Sequence, residues 1–175
     1  MLADISPLIA ATAQWLTRAY PSGGGAMDSA LSEIQARQAV TVAAWLRYPT
    51  SIDMALVTMT GPGGSGRLDW ITGADGVGLD DAGEYAWRTW VDEVVVSWAA
   101  SLLTISELAE AAVAALAGSE HMKGGPVEFR RLVMPDERDR GAAALLRHPD
   151  LLGPIAELHH SQLLERLDRG PALTG

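Results

Sequence analysis

Apolar residues recur every three to four positions at the start of the chain. Ile5, Leu8, Ile9, Thr12, Trp15, Leu16 and Ala19 share one helical face. Ser6-Pro7 supplies a capping residue followed by the residue favoured at a first helical position, and Pro21 stops the helix. After the connection Ser22-Gly23-Gly24-Gly25, a second helix is expected from about Asp28 to Tyr48, with Leu31, Ile34, Val42, Trp45 and Leu46 on its apolar face. A short turn between two helices predicts an antiparallel pair.

The pattern then changes. Ile52–Thr60 is short, apolar and bounded by Pro49 and Gly61, which predicts a buried strand. Arg67–Thr72 alternates polar and apolar residues like a half-exposed strand, and the glycine-rich loop Gly61–Gly66 would join the two as a hairpin. Residues 82–103 carry both signals. Trp87, Val91, Val94, Val95, Trp98 and Leu102 fit one helical face, whereas Tyr85, Trp87, Thr89 and Val91 alternate. The capping pair Asp81 and Glu84 favours helix. Thr104 and Glu107 predict a further helix to about Ala117, closed by Gly118. Pro126–Met134 is a candidate third strand. Pro135-Asp136-Glu137 opens a helix that ends by Pro149, and Pro154 opens a last one through Asp168. The expected fold class is α+β, predominantly α-helical. It comprises five to six helices with a small antiparallel β-hairpin or three-stranded sheet, in a single domain over 1–168 with a flexible tail over 169–175.

A chain of 175 residues, 48% hydrophobic and 20% charged, can bury a core and falls outside the disordered class. The absence of cysteine excludes disulfides, thiolate metal sites and a Cys nucleophile. No apolar run has membrane-spanning length and the N-terminus shows no signal pattern, so a cytoplasmic location without membrane association is expected. Twelve of the 13 basic residues are arginine, which points to a GC-rich bacterial genome.

Charge is uneven. Residues 1–60 carry a net −1, residues 61–120 a net −8 with two basic and ten acidic groups, and residues 121–175 a net 0. A middle third of that sign repels a nucleic-acid backbone and attracts a cationic partner.

Candidate chemistry narrows the picture mainly by exclusion. Gly61-Pro62-Gly63-Gly64-Ser65-Gly66 has the spacing of phosphate-cradling loops. Arg67 and Leu68 stand where a P-loop needs Lys and Ser/Thr, however, and Gly73 interrupts the helix both motifs require. No nucleotide or other cofactor is expected. Thr104–Glu110 resembles the opening helix of a helix-turn-helix, but no basic recognition helix follows. Glu157 and His160 have the Glu-x-x-His spacing of di-iron bundles without the second copy such bundles need, so no metal is expected. Asp75, Asp80, Asp81 and Glu84 lack the ligand alternation of a calcium loop, and no nucleophile elbow surrounds Ser65.

Four of the six tryptophans, Trp70, Trp87, Trp90 and Trp98, fall in the acidic third. Trp87 and Trp98 belong to the expected buried stripe. Trp70 and Trp90, with Asp75, Asp80, Asp81 and Glu84, would form an aromatic patch ringed by carboxylates, suited to Arg and Lys of a partner. The leading expectation is therefore a small, acidic, non-catalytic binding protein of adaptor, immunity or regulatory type that engages a basic protein partner. The alternative is a small-molecule enzyme or carrier with a pocket between the helices and the small sheet. A nucleic-acid partner is not expected.

Overall fold

A computed structural model describes residues 5–60, 67, 71, 91–124 and 129–169. Every regular element among these residues is helical. In chain order they are α1 (Ser6–Ala19), α2 (Ala26–Arg47), α3 (Ser51–Thr60), α4 (Glu93–Thr104), α5 (Ser106–Ala115), a 3₁₀ turn (Glu120–Gly124), α6 (Arg130–Val133), α7 (Glu137–Ala142), α8 (Pro149–Glu157) and α9 (His160–Asp168).

The expected β-hairpin or three-stranded sheet is thereby corrected: the described residues contain no strand. Ile52–Thr60 forms most of α3, and the reason lies just before it. Thr50 Oγ1 accepts from the Asp53 amide while Asp53 Oδ2 accepts from both the Thr50 amide and its hydroxyl, a reciprocal cap. Glu120 Oε2 accepts from the Ser51 amide, so two carboxylates meet the positive end of the helix dipole. The run then buries only Met54, Val57 and Thr60, at a spacing of three, and leaves Ile52 and Met59 exposed. Phe129–Met134, the described part of the expected third strand, coils into the single turn α6 and its flanks. Arg67 and Ile71 are helical and exposed; the rest of the expected second strand lies outside the described residues.

Two helices organise the core. α2 packs against α1, α4, α5, α6 and α7, and α4 packs against α2, α8, α5 and α9. α4 is buried without interruption from Val95 to Leu103, as befits a helix apolar on every face. Ala99, Ala100, Ser97 and Ser101 keep its flanks small, which lets neighbouring backbones approach. The two serines satisfy their hydroxyls on the carbonyls of Glu93 and Ser97, and Ser101 also reaches Ala156 O of α8. Asp92 caps the helix, its Oδ1 accepting from the amides of Val94 and Val95 and its Oδ2 from the Tyr48 hydroxyl. Residues 82–90 of the range expected to be helical lie outside the described residues.

Several boundaries shift for local reasons. Ile34 is exposed, and the buried side of α2 instead includes Ser32 and Gln35, which donate to the carbonyls of Ala142 and Asp139. The expected Thr104–Glu107 cap does not form, because the Thr104 hydroxyl donates back to Ala100 O as the last residue of α4. At α7 the expected start is realised as a reciprocal cap between Asp136 and Asp139. Pro149, not Pro154, opens α8; Pro154 lies inside it, and the expected last helix is divided at Leu158–His159 into α8 and α9. Arg169 is the C-terminal cap of α9, and residues 170–175 of the expected tail lie outside the described residues.

Candidate functional site

The residues expected to bind a partner, Trp70, Trp90, Asp75, Asp80, Asp81 and Glu84, all lie outside the described residues. The described remainder of the acidic third is largely committed to holding the fold. Asp92 is the buried cap of α4, Glu120 caps α3, and Glu93 Oε1 stands 3.7 Å from His159 Nε2. Trp98 is core, 4% exposed, with its indole N–H donating to His159 O. Among the described residues no helix is long and apolar enough to cross a membrane, and no group of three His, Asp or Glu side chains could hold a metal ion.

What the fold does gather is a cleft of about 380 Å³ where the C-terminus of α2, the N-terminus of α3 and one polar stripe of α9 converge. Leu163 and Leu167 turn α9 towards the core. Gln162, Arg166 and Arg169, spaced four and three apart, share the stripe beside it and line the cleft together with Glu165. Arg47, Pro49 and Asp53 contribute the facing wall, and Leu46 and Trp98 the apolar part.

Arg166 and Asp53 are tied to backbone groups, Arg47 and Arg169 to side chains. α2 ends with carbonyls that have no intrahelical partner; Arg166 Nε donates to Leu46 O at 3.0 Å and His121 Nε2 donates to Tyr48 O at 2.7 Å. The Arg166 bond fixes that guanidinium at the cleft and, among the described residues, leaves its terminal nitrogens without a protein acceptor. Arg47 lies over the Tyr48 ring, 5.5 Å from its centre. Arg169 pairs with Glu165 at 3.1 Å, a contact exposed at both partners and of little energetic weight. Asp53 is tied through Oδ2 to the α3 cap, and its Oδ1 has no protein partner among the described residues. Burial holds the Arg166 guanidinium below its ordinary value; Asp53 opposes the shift, while Arg169 and Arg47 deepen it.

The 3₁₀ turn braces this corner. His121 stacks on Trp45 with ring centres 4.8 Å apart, beside Glu120 at Ser51. Burial pushes the His121 imidazole below its ordinary 6.5, against the Tyr48 bond and the Glu120 and Asp53 carboxylates, which raise it. The unfolded chain then takes up this proton more readily than the folded one. Stability is accordingly expected to fall as pH drops below about 6.5 and to level off below the folded-state value. Urea midpoints measured from pH 7.5 to 5 should show this slope in the wild type and a shallower one in His121→Gln; parallel slopes would remove His121 as the cause.

Comparison of the chain with protein-family models, with curated proteins and with solved structures gives no match. Sequence reasoning passed over Arg47, Asp53, Arg166 and Arg169. The one local signal was the polar stripe of the last helix, Gln162, Arg166 and Arg169, and nothing in sequence joins it to Arg47 more than a hundred residues earlier.

Proposed function

We propose that this is a small binding protein that receives an anionic group in the cleft between α2, α3 and α9. The observation that carries the reading is Arg166: anchored through Nε to Leu46 O, it lines the cleft with its terminal nitrogens lacking an acceptor among the described residues, one turn from Arg169. A guanidinium fork held by one bond is pre-oriented for carboxylate or phosphate oxygens, and pre-orientation lowers the entropic cost of binding. The reading takes up the carrier alternative, with the pocket between helices alone.

Titration with phosphate, sulfate and citrate at low salt, followed by calorimetry and by the Trp98 indole resonance, provides the test. Saturable binding that weakens with added salt and is lost in Arg166→Ala is expected, with circular dichroism confirming that the variant folds. No heat and no Trp98 perturbation with any of the anions would overturn it.

A second reading rests on a separate observation. Residues 68–90 hold five acidic groups and one basic group, together with Trp70, Trp87 and Trp90, the composition of a surface for a basic protein partner. Anions without effect, with tryptophan emission changed by an arginine-rich peptide in wild type and not in the combined variant Asp80→Asn, Asp81→Asn and Glu84→Gln, would favour it over the cleft.

A further inference from the structure

We infer that the cleft takes a small zwitterion of the amino-acid type, its carboxylate on Arg166 and its ammonium group on Asp53, an inference that rests on the anion-binding reading above. The first argument is which groups remain open. Arg47 is already engaged, in part over the Tyr48 ring, and Arg169 is paired with Glu165. Among the described residues lining the cleft, one cation and one anion are left with capacity to spare. Arg166 spends Nε on Leu46 O and keeps its terminal nitrogens. Asp53 spends Oδ2 on the Thr50 cap and keeps Oδ1. The open end of one guanidinium accommodates one carboxylate, and a free carboxylate oxygen accepts from one ammonium group.

The second argument is electrostatic. Asp53 acts on the Arg166 guanidinium within the same cleft without forming an ion pair with it. A simple anion on Arg166 therefore sits in the field of a second negative charge, which offsets part of its attraction. An ammonium group on the same molecule turns that opposition into a second contact. Such a ligand also brings no net charge into a partly buried site, so both of its charges arrive with a partner. The third argument is room. About 380 Å³ lies within the range of small-molecule pockets, with Leu46 and Pro49 as apolar wall and the Gln162 amide as a polar one for the rest of the molecule.

Calorimetry on the full chain at low salt would compare L-norvaline with pentanoate, which lacks the ammonium group, and with butylamine, which lacks the carboxylate. Norvaline is expected to bind about tenfold or more tightly than either, since only it engages both charges. Arg166→Ala should lose norvaline and pentanoate alike. Asp53→Asn, checked for folding by circular dichroism, should abolish the difference between those two ligands. It should also bind pentanoate at least as tightly as the wild type does, because the opposing charge is gone; a purely structural role for Asp53 would weaken both ligands instead and would overturn the contact. The comparison of ligands on the wild type stands independently of either variant. Pentanoate as tight as norvaline would overturn the zwitterion and leave the anion-binding reading standing, and phosphate or sulfate bound with norvaline silent would do the same. Butylamine as tight as norvaline would overturn the Arg166 contact and both readings with it. No binding by any of these probes would also overturn the two together.

Discussion

Trp98→Ala is expected to cost about 3–5 kcal/mol, the largest effect of any single substitution considered, because it empties an aromatic volume at the centre of the helix packing. Trp98 sits in the uninterrupted buried stretch of α4 and is 4% exposed. Its indole N–H donates to His159 O at the junction of α8 and α9, a carbonyl that also accepts from the Leu163 amide as the N-terminal cap residue of α9. Truncation therefore opens a cavity and takes one of two donors from that carbonyl, and the flanking Ala99 and Ala100 are too small to refill the space. For a domain with a total stability of about 5–15 kcal/mol this is a large share. Urea unfolding should show a much lower midpoint with little change in slope. Trp98→Phe, which keeps most of the volume and loses the hydrogen bond, should cost about 1–2 kcal/mol. An alanine variant within about 1 kcal/mol of wild type would mean that the site collapses or was never tightly packed.

The elements legible in the sequence are those whose signals are local and unopposed. α1 follows its apolar face, with Ile5, Leu8 and Leu16 buried as spaced, and α7 starts where Asp136 and its neighbours place acids. α3 shows how composition can mislead. A short apolar run reads equally as strand or buried helix, and the deciding signal was the cap Thr50-x-x-Asp53, hidden by Ser/Thr and Asp residues that also suit a turn. At Thr104 the same kind of signal misleads in the other direction, because the hydroxyl finds a nearer acceptor one turn back in α4. Gln35 is fully buried, against the usual preference of its type, because Asp139 O and the Arg147 guanidinium arrive from more than a hundred residues away. The cleft was illegible for the same reason. Arg166 reads as the polar side of a terminal helix until Leu46 O is brought to it, and that contact is a property of the tertiary fold. The acidic third was legible as charge. Its partition into caps such as Asp92 and Glu120 and free surface depended on packing that charge counts do not contain.

Arg147→Ala should be the second most damaging change, at about 2–4 kcal/mol, with the lower end allowing for the part of the side chain that reaches solvent. Arg147 follows α7 and ties three elements with one guanidinium. Its Nε donates to Gln35 Oε1 of α2 at 2.8 Å, and one Nη donates to the carbonyls of Arg131 and Leu132 on α6 at 2.9 and 3.2 Å. Gln35 in turn donates to Asp139 O, and the buried Asp139 carboxylate accepts from Arg131 and from the Asp136 amide. Burial holds the Arg147 guanidinium below its ordinary value while Asp139 opposes the shift, so the charge is tolerated because an opposite one lies nearby. Removing the guanidinium leaves a buried amide oxygen and two carbonyls with fewer donors, which costs more than the bonds themselves contributed. Arg147→Lys keeps the charge, cannot span Gln35 and the α6 carbonyls together, and should recover less than half of the loss. A double-mutant cycle of Arg147→Ala with Gln35→Ala, read by urea unfolding, should give a coupling of about 1 kcal/mol or more. Additive losses would show that the two side chains act separately, and a cost below about 0.5 kcal/mol for Arg147→Ala would show that water replaces the guanidinium at all three acceptors.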